Sequence, residues 1–372
     1  MNLAQIHNVL LKGDGISNTI RATQEVNKSL NFNNDIVVEL FSEYNNVYEL
    51  AIADYFSLNL YGMFKKFVTI ENRYNYMKMF YRALKKYKKN VAKNIIENSK
   101  IRMWHYGSAY ELFRLIHNKD IVYYHNLTFP YLVNNKKSMM DSRIMLMSIK
   151  DMKLFFITQS EFNKECLIRM GFNEDSIAVT IPYHRNNFKF RNKLISKHPK
   201  LVSYGRYGGG KGIPELAKLC NACDISLTTF GDNKSSGEYK KEYNEAKKYS
   251  KDNVNILGKV PKIDNYLLNS DIFVLNSYHE GASLPVVEAE SYGLPVILRR
   301  GTALDELVVD GNRRNGYLFD SIDEVPELVN KIKSNYREFS KNAYLHSKGY
   351  TFERYKSTYI SALSKYRTWS SV

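Results

Sequence analysis

The stretch "HEGASLPVVEAE", residues 279–290, sets Glu280 and Glu288 eight positions apart with Gly281 and Pro285 between them. Just upstream, "DIFVLNS" (271–277) is a short apolar block that reads as a buried strand. Downstream, "VVEAESYG" reads as a helix, with Pro285 near its first position and Gly293 past its end. Glu280 therefore belongs to a strand-to-helix loop, and Glu288 lies about one turn into the helix. The amides near Ser283 and Leu284 would crown that helix start, where an anion is favoured. Two carboxylate acceptors beside a group of donors suit a ligand that carries both hydroxyls and phosphates. Each glutamate alone also has a plainer explanation: the helix dipole favours acids in a first turn, and loop acids are commonly just solvated.

A second stretch, "YGRYGGGKG" (204–212), follows a strand pattern and opens a helix pattern. Its successive glycines let backbone approach an anion closely, while Arg206 and Lys211 supply positive charge. It is not a P-loop, which needs Gly-Lys-Ser/Thr, and not G-x-G-x-x-G, because residue 213 is Ile. Metal chemistry finds no comparable footing. No D-x-D occurs, and Cys220-x-x-Cys223 lacks the second Cys pair or His pair that a zinc site requires. Neither metal nor cofactor is expected. Cys166, Cys220, Cys223, His105 and His279 read as structural residues.

The elements that must position these groups alternate along the chain. In the second half, strand patterns at 201–206, 225–231, 254–260, 271–277, 295–300 and 316–320 alternate with helix patterns. The helix patterns include 238–250, 284–292, "LDELVVD" (304–310) and a run from about Glu324. The first half repeats the alternation, with strand patterns at 4–11, 35–41, 101–107, 120–126 and 153–160. Strands alternating with helices predict doubly wound parallel sheets, which bind ligands outside the carboxyl ends of their strands. Residues 181–200 break the pattern and read as a linker. The division is an N-terminal unit over 1–190 and a C-terminal unit over 191–349, with a helix at about 350–372 able to pack back on the first.

The chain has 372 residues, beyond the usual span of a single core, so two domains are the default. No apolar run approaches the ~18 to 20 residues of a membrane span, and the start lacks the basic and apolar regions of a signal peptide. A cytoplasmic location is the resulting expectation. With 54 basic against 38 acidic residues the formal charge is +16, which points to anionic company. Nucleic acid is not expected, since no zinc-finger spacing, basic zipper or RNP-type aromatic strand occurs. Residues 61–89 interleave aromatics with lysines, a pattern open to two readings: a solvated basic helical segment, or a surface lying on an anionic membrane.

Taken in order, these motifs resemble the donor-binding half of the family 4 retaining glycosyltransferases, which have the GT-B fold. The family's phosphate loop is matched by Gly205, Arg206, Lys211 and Gly212. Its E-G-x-x-L-P-x-x-E motif is matched by Glu280, Gly281, Leu284, Pro285 and Glu288, and "DELVVDGNRRNGYLFD" (305–320) is similar to its tail. The first half is similar through "KGDGISN" (12–18), with Gly13 and Gly15, and through "YYHNLTFP" (123–130), with His125. "ITQSEFNKECLIRMGF" (157–172) resembles the segment leading toward the crossover between domains. Departures occur at "RRGTALDE" (299–306), at Asn276 where proline is usual, and at Glu290 where methionine is common.

The resemblance implies two Rossmann-like domains facing each other across a cleft, and a hexosyl-type transferase acting from a nucleotide-diphosphate sugar. Arg206 and Lys211 would clamp the diphosphate, helped by amides near Ser283 and Leu284, with Gly13 and Gly15 close by. Glu288 would accept from the ribose hydroxyls, Glu280 and Gly281 would face the sugar, and the base would lie near Val260. His125 would reach the donor sugar or leaving group from across the cleft. The acceptor would be a lipid-linked or surface glycan hydroxyl, with the enzyme peripheral on the inner membrane face. Two other functions fit the residues: a GT-B nucleotide-sugar epimerase, and a non-catalytic basic protein binding polyanions.

Overall fold

In a computed structural model of the chain, the strand and helix patterns resolve into two parallel sheets. The structure describes residues 2–10, 15–42, 48–49, 94–106, 116–124, 151–183, 189–190, 194–208, 210–233 and 237–371. The first sheet contains β1 (Asn2–Leu10), β2 (Asn33–Ser42), β3 (Tyr48–Glu49), β4 (Ile101–Tyr106), β5 (Ile121–Tyr124), β6 (Phe155–Thr158) and β7 (Ile177–Val179). Helix α1 (Gly15–Ser29) follows β1, and α2 (Glu161–Arg169) follows β6. The strand order is β3-β2-β1-β4-β5-β6-β7.

The second sheet contains β8 (Lys200–Tyr204), β9 (Ser226–Phe230), β10 (Val254–Ile256), β11 (Ile272–Leu275), β12 (Val296–Arg299) and β13 (Gly316–Phe319), ordered β10-β9-β8-β11-β12-β13. Its helices are α3 (Ile213–Ala222), α4 (Gly237–Lys247), α5 (Asp264–Asn269), α6 (Leu284–Glu290), α7 (Val325–Ser334) and α8 (Tyr336–Ser347). Both faces are covered, as a parallel sheet requires. Leu201, Ile272 and Val274 point into one apolar cluster, and Val202, Phe273 and Leu275 into another. That period-two division explains why "DIFVLNS" is apolar throughout.

The strand order reverses between β1 and β4 in one sheet and between β8 and β11 in the other. Such switch points open a crevice at the carboxyl ends of the central strands. The loop after β8 is the glycine-rich stretch, and the loop after β11 is "NSYHEGAS". Topology therefore brings the two sequence motifs to one place.

Helix α9 (Phe352–Ser371) leaves the second unit and packs against the first sheet. Tyr355, Tyr359, Leu363 and Tyr366 are buried there at helical spacing, beside Leu3, Met103 and Phe155. Their hydroxyls are satisfied across the contact: Tyr355 Oη and Thr23 Oγ1 are 2.7 Å apart, and Tyr359 Oη donates to Asn27 Oδ1 at 3.1 Å. Among the described residues no helix is long and apolar enough to cross a membrane.

Two sequence expectations fail locally. The strand expected over 254–260 stops at Ile256. "LDELVVD" forms only a single 3-10 turn, Asp305–Leu307, because the Asp305 carboxylate turns back to accept from the Gly301 amide at 3.0 Å. The short strands β3 and β7 are too brief to produce a period that sequence reading could detect. Residues 61–89, Gly13 and His125 lie outside the described residues.

Candidate active site

The loop after β8 is held by the loop after β11. Gly210 and Gly212 have positive φ, +71° and +60°, and a Cβ on Gly212 would collide with Asn276. Glycine is therefore required where the chain bends into α3. The Tyr278 amide donates to the Gly210 carbonyl at 2.8 Å, and Asn276 Nδ2 donates to the Gly212 carbonyl at 2.8 Å. With that bracing, Lys211 reaches the Glu280 carboxylate in a direct ion pair shielded from solvent.

Asn276 is itself anchored. Arg299 Nε donates to Asn276 Oδ1 at 2.8 Å, and Arg299 Nη1 donates to the Asp320 carbonyl at 3.0 Å. The Arg299 guanidinium stacks over Tyr278 at 4.3 Å and over Phe319 at 5.1 Å. Two departures from the family pattern, Asn276 and Arg299, thus form one brace behind the glycine loop. The third departure, Glu290, is fully buried; it accepts from Asn315 Nδ2 and bonds His346 Nδ1 at 2.8 Å.

Gly281 and Ser283 are buried in the turn beside Glu280. Ser283 is the N-cap of α6, yet its hydroxyl makes no capping bond. Glu288 is half-buried on α6, where its Oε2 accepts from Tyr204 Oη at 2.7 Å. Val260 lies on the apolar cluster that contains Tyr204 and Phe230. Arg206 is exposed and donates to Tyr239 Oη at 3.3 Å, turned toward α4 instead of joining Lys211. Gly15 begins α1 beyond the end of β1. His279 packs against Gly210, and burial lowers its pKa to about 4, so it is neutral near pH 7.

Several residues at this site escape motif reading. Asn163 on α2 donates from Nδ2 to the Gly281 carbonyl at 3.1 Å, which joins the first unit to the glutamate turn of the second. Glu306 accepts from the Phe162 amide at 2.6 Å and the Glu161 amide at 3.1 Å, so it caps α2 from the other unit. Tyr204 is the third. A hydroxylated aromatic at the end of a strand, next to Gly205, is the one local signal that could have drawn attention to it.

Comparison with known proteins bears on the family and the fold. Residues 184–351 match the family described as "Glycosyl transferases group 1". An uncharacterized 41.2 kDa protein in the cps region of Klebsiella pneumoniae is 24% identical over 256 residues, covering 62% of this chain and 69% of that one. In fold, the chain is similar to sucrose-phosphate synthase from Thermosynechococcus elongatus, with a TM-score of 0.70, 16% identity and all of both chains covered. It is also similar to Anabaena HepE in complex with UDP-glucose, with a TM-score of 0.69 and 13% identity over 98% of this chain and 99% of that one. The two facing parallel-sheet units are therefore a GT-B fold.

Proposed function

We propose, from the match of residues 184–351 to the glycosyl transferases group 1 family and from the GT-B fold, that the chain is a retaining, metal-independent hexosyltransferase that uses a nucleotide-diphosphate sugar. The observation that carries this reading is the meeting of Lys211 and Glu280 at the switch point, one loop offering a cation and the other a carboxylate. Lys211 and Arg206 offset the charge that grows on the leaving diphosphate, the task a divalent ion performs elsewhere. Arg206 turns in from Tyr239 when the donor binds. Glu288 holds the ribose, Glu280 the sugar hydroxyls, and backbone near Val260 the base. His125 serves the reacting sugar from the first unit, alongside Gly13 and Gly15. Attack comes from the face the leaving group departs, and the leaving phosphate takes the acceptor proton.

The acceptor is a hydroxyl of a surface or lipid-linked glycan. Support comes from the cps-region relative and from the chain's charge of +16. The enzyme works at the cytoplasmic membrane face, with residues 61–89 as its contact to anionic lipid. The test is a thermal-shift screen of nucleotide sugars, followed by NMR of the product's anomeric configuration. A ligand at 100 times its Kd stabilises by ~2.7 kcal/mol, which such a screen resolves. Failure of every nucleotide sugar to shift the melting temperature would refute the donor assignment, and an inverted product would refute retention.

A further inference from the structure

The Tyr204–Glu288 bond joins the end of the central strand β8 to the helix that carries the ribose-binding carboxylate. The Tyr204 ring is locked on three sides. It stacks on Phe230 with centroids 4.9 Å apart and planes 8° from parallel, meets Phe273 edge-on at 5.5 Å, and lies within the apolar cluster under α6. Its position is fixed by packing that owes nothing to the hydroxyl. Tyr204 Oη lies 2.7 Å from Glu288 Oε2 and 3.1 Å from the Pro285 carbonyl. A phenol has one proton to give, so the shorter, charged contact takes it.

That hydroxyl stays a donor throughout the working range, because burial, then the Glu288 charge, hold its pKa well above the usual tyrosine value. Glu288, by contrast, is a half-buried side chain with three rotatable bonds, and the direction of its carboxylate depends on the bonds it makes. A flexible acceptor loses freedom when it binds a diol, and a rigid one has already lost it. The bond engages one carboxylate oxygen and uses one of the roughly four acceptor positions that a carboxylate offers.

We propose that Tyr204 is a positioning residue for Glu288, and that it strengthens the enzyme's preference for a ribose over a deoxyribose donor. The inference rests on the proposed function, in which Glu288 accepts from the ribose hydroxyls. Tyr204→Phe keeps the aromatic stack and removes only the oxygen. Without the bond, the Glu288 carboxylate is held less firmly toward the diol, and the discrimination between ribose and deoxyribose falls.

Calorimetry of the full chain with UDP, GDP, ADP and the 2′-deoxy form of whichever binds provides the test. Tyr204→Phe is expected to weaken the ribonucleotide roughly five- to tenfold, the scale of one charged hydrogen bond partly compensated by water. The deoxynucleotide should weaken by less than about twofold, since it offers Glu288 less to hold. In steady-state assays the loss should fall on donor KM instead of kcat. In a Glu288→Ala background, Tyr204→Phe should have no further effect on either nucleotide, which separates positioning from damage to the fold. Equal weakening of both nucleotides, unchanged binding, or an undiminished effect in the Glu288→Ala background overturns the inference and leaves the functional reading standing. Wild-type protein that binds none of the three diphosphates overturns both.

Discussion

Lys211 and Glu280 are ion-paired across the two loops of the switch point, with side chains only 15% and 8% exposed. One is expected to meet diphosphate and the other sugar, so each holds the other's place before the donor arrives. Removing one member of a shielded pair leaves the other charge uncompensated, which costs more than the pair contributes.

Lys211→Ala is therefore expected to lower kcat by roughly a hundred- to thousandfold, the scale for losing one group that stabilises developing negative charge. Glu280→Gln should also lower kcat. The double variant should be at least tenfold better than the product of the two single losses, because both act on one unit. Steady-state rates and melting curves for the three variants measure this. Strict additivity would show that the two residues work independently, and wild-type kcat in both single variants would show that the site is misplaced.

Glu306 ties the second unit to the first through the amides of Glu161 and Phe162. Loss of a carboxylate that accepts from amides at a helix N-terminus costs up to ~1 kcal/mol, or about fivefold in an equilibrium. Glu306→Ala should leave nucleotide affinity nearly unchanged, since the contacts proposed for Arg206, Lys211, Val260 and Glu288 all lie in the second unit, while kcat falls by roughly that factor. Small-angle X-ray scattering should show a larger radius of gyration for the variant. Weaker donor binding without a change in scattering would count against an interdomain role.

What sequence reading recovered follows from what is local. Apolar blocks, glycines and the proline of α6 lie within a few residues of the groups they position, so both loops at the switch point were legible. Tyr204 and Glu288 are 84 positions apart, and Glu306 and Phe162 are 144 apart. No periodicity records such pairings; they exist only once the sheets have formed. The Asn276–Arg299 brace was visible as two odd residues, but not as a pair. "LDELVVD" misled because its acids and apolar residues fit a helix period, while Asp305 found a closer partner in the Gly301 amide.

Residues 61–89 carry the membrane proposal. Each lysine at headgroup level contributes ~1 kcal/mol on an anionic surface. Replacing Lys85, Lys86, Lys88 and Lys89 together should release the protein from anionic vesicles at physiological salt. Equal sedimentation of wild type and variant with such vesicles would exclude this segment as the contact.

The proposed metal independence rests on Lys211 and Arg206 acting together at the leaving group. Excess chelator should leave at least half of the transfer rate, and added magnesium or manganese should not raise it beyond about twofold, since charge offset is already supplied. Abolition by chelator with rescue by either ion would require a metal at the diphosphate instead.

The Glu290–His346 pair gives the chain a pH dependence whose sign is fixed. Glu290 is fully buried, and burial raises its pKa above the usual 4.5. Burial alone would lower the His346 imidazole, but the Glu290 carboxylate outweighs it and raises the pKa above the usual 6.5. Both groups therefore hold protons more tightly in the folded chain than in the unfolded one. The His346 contribution is complete below its unfolded value and is lost as pH rises through its folded value; the Glu290 proton is also lost with rising pH. Stability from this pair must therefore fall on the alkaline side, at up to ~1.4 kcal/mol per pH unit for each proton difference. Glu290→Gln removes the carboxylate and leaves a neutral partner for Asn315 and His346. The melting-temperature advantage of wild type over Glu290→Gln should accordingly be largest near pH 6 and shrink steadily toward pH 9. The pair joins α6 to the end of α8, just before the chain crosses to the first sheet in α9. A gap that stays flat, or widens as pH rises, would mean that His346 carries no proton in the fold and that the pair is held by neutral hydrogen bonds alone.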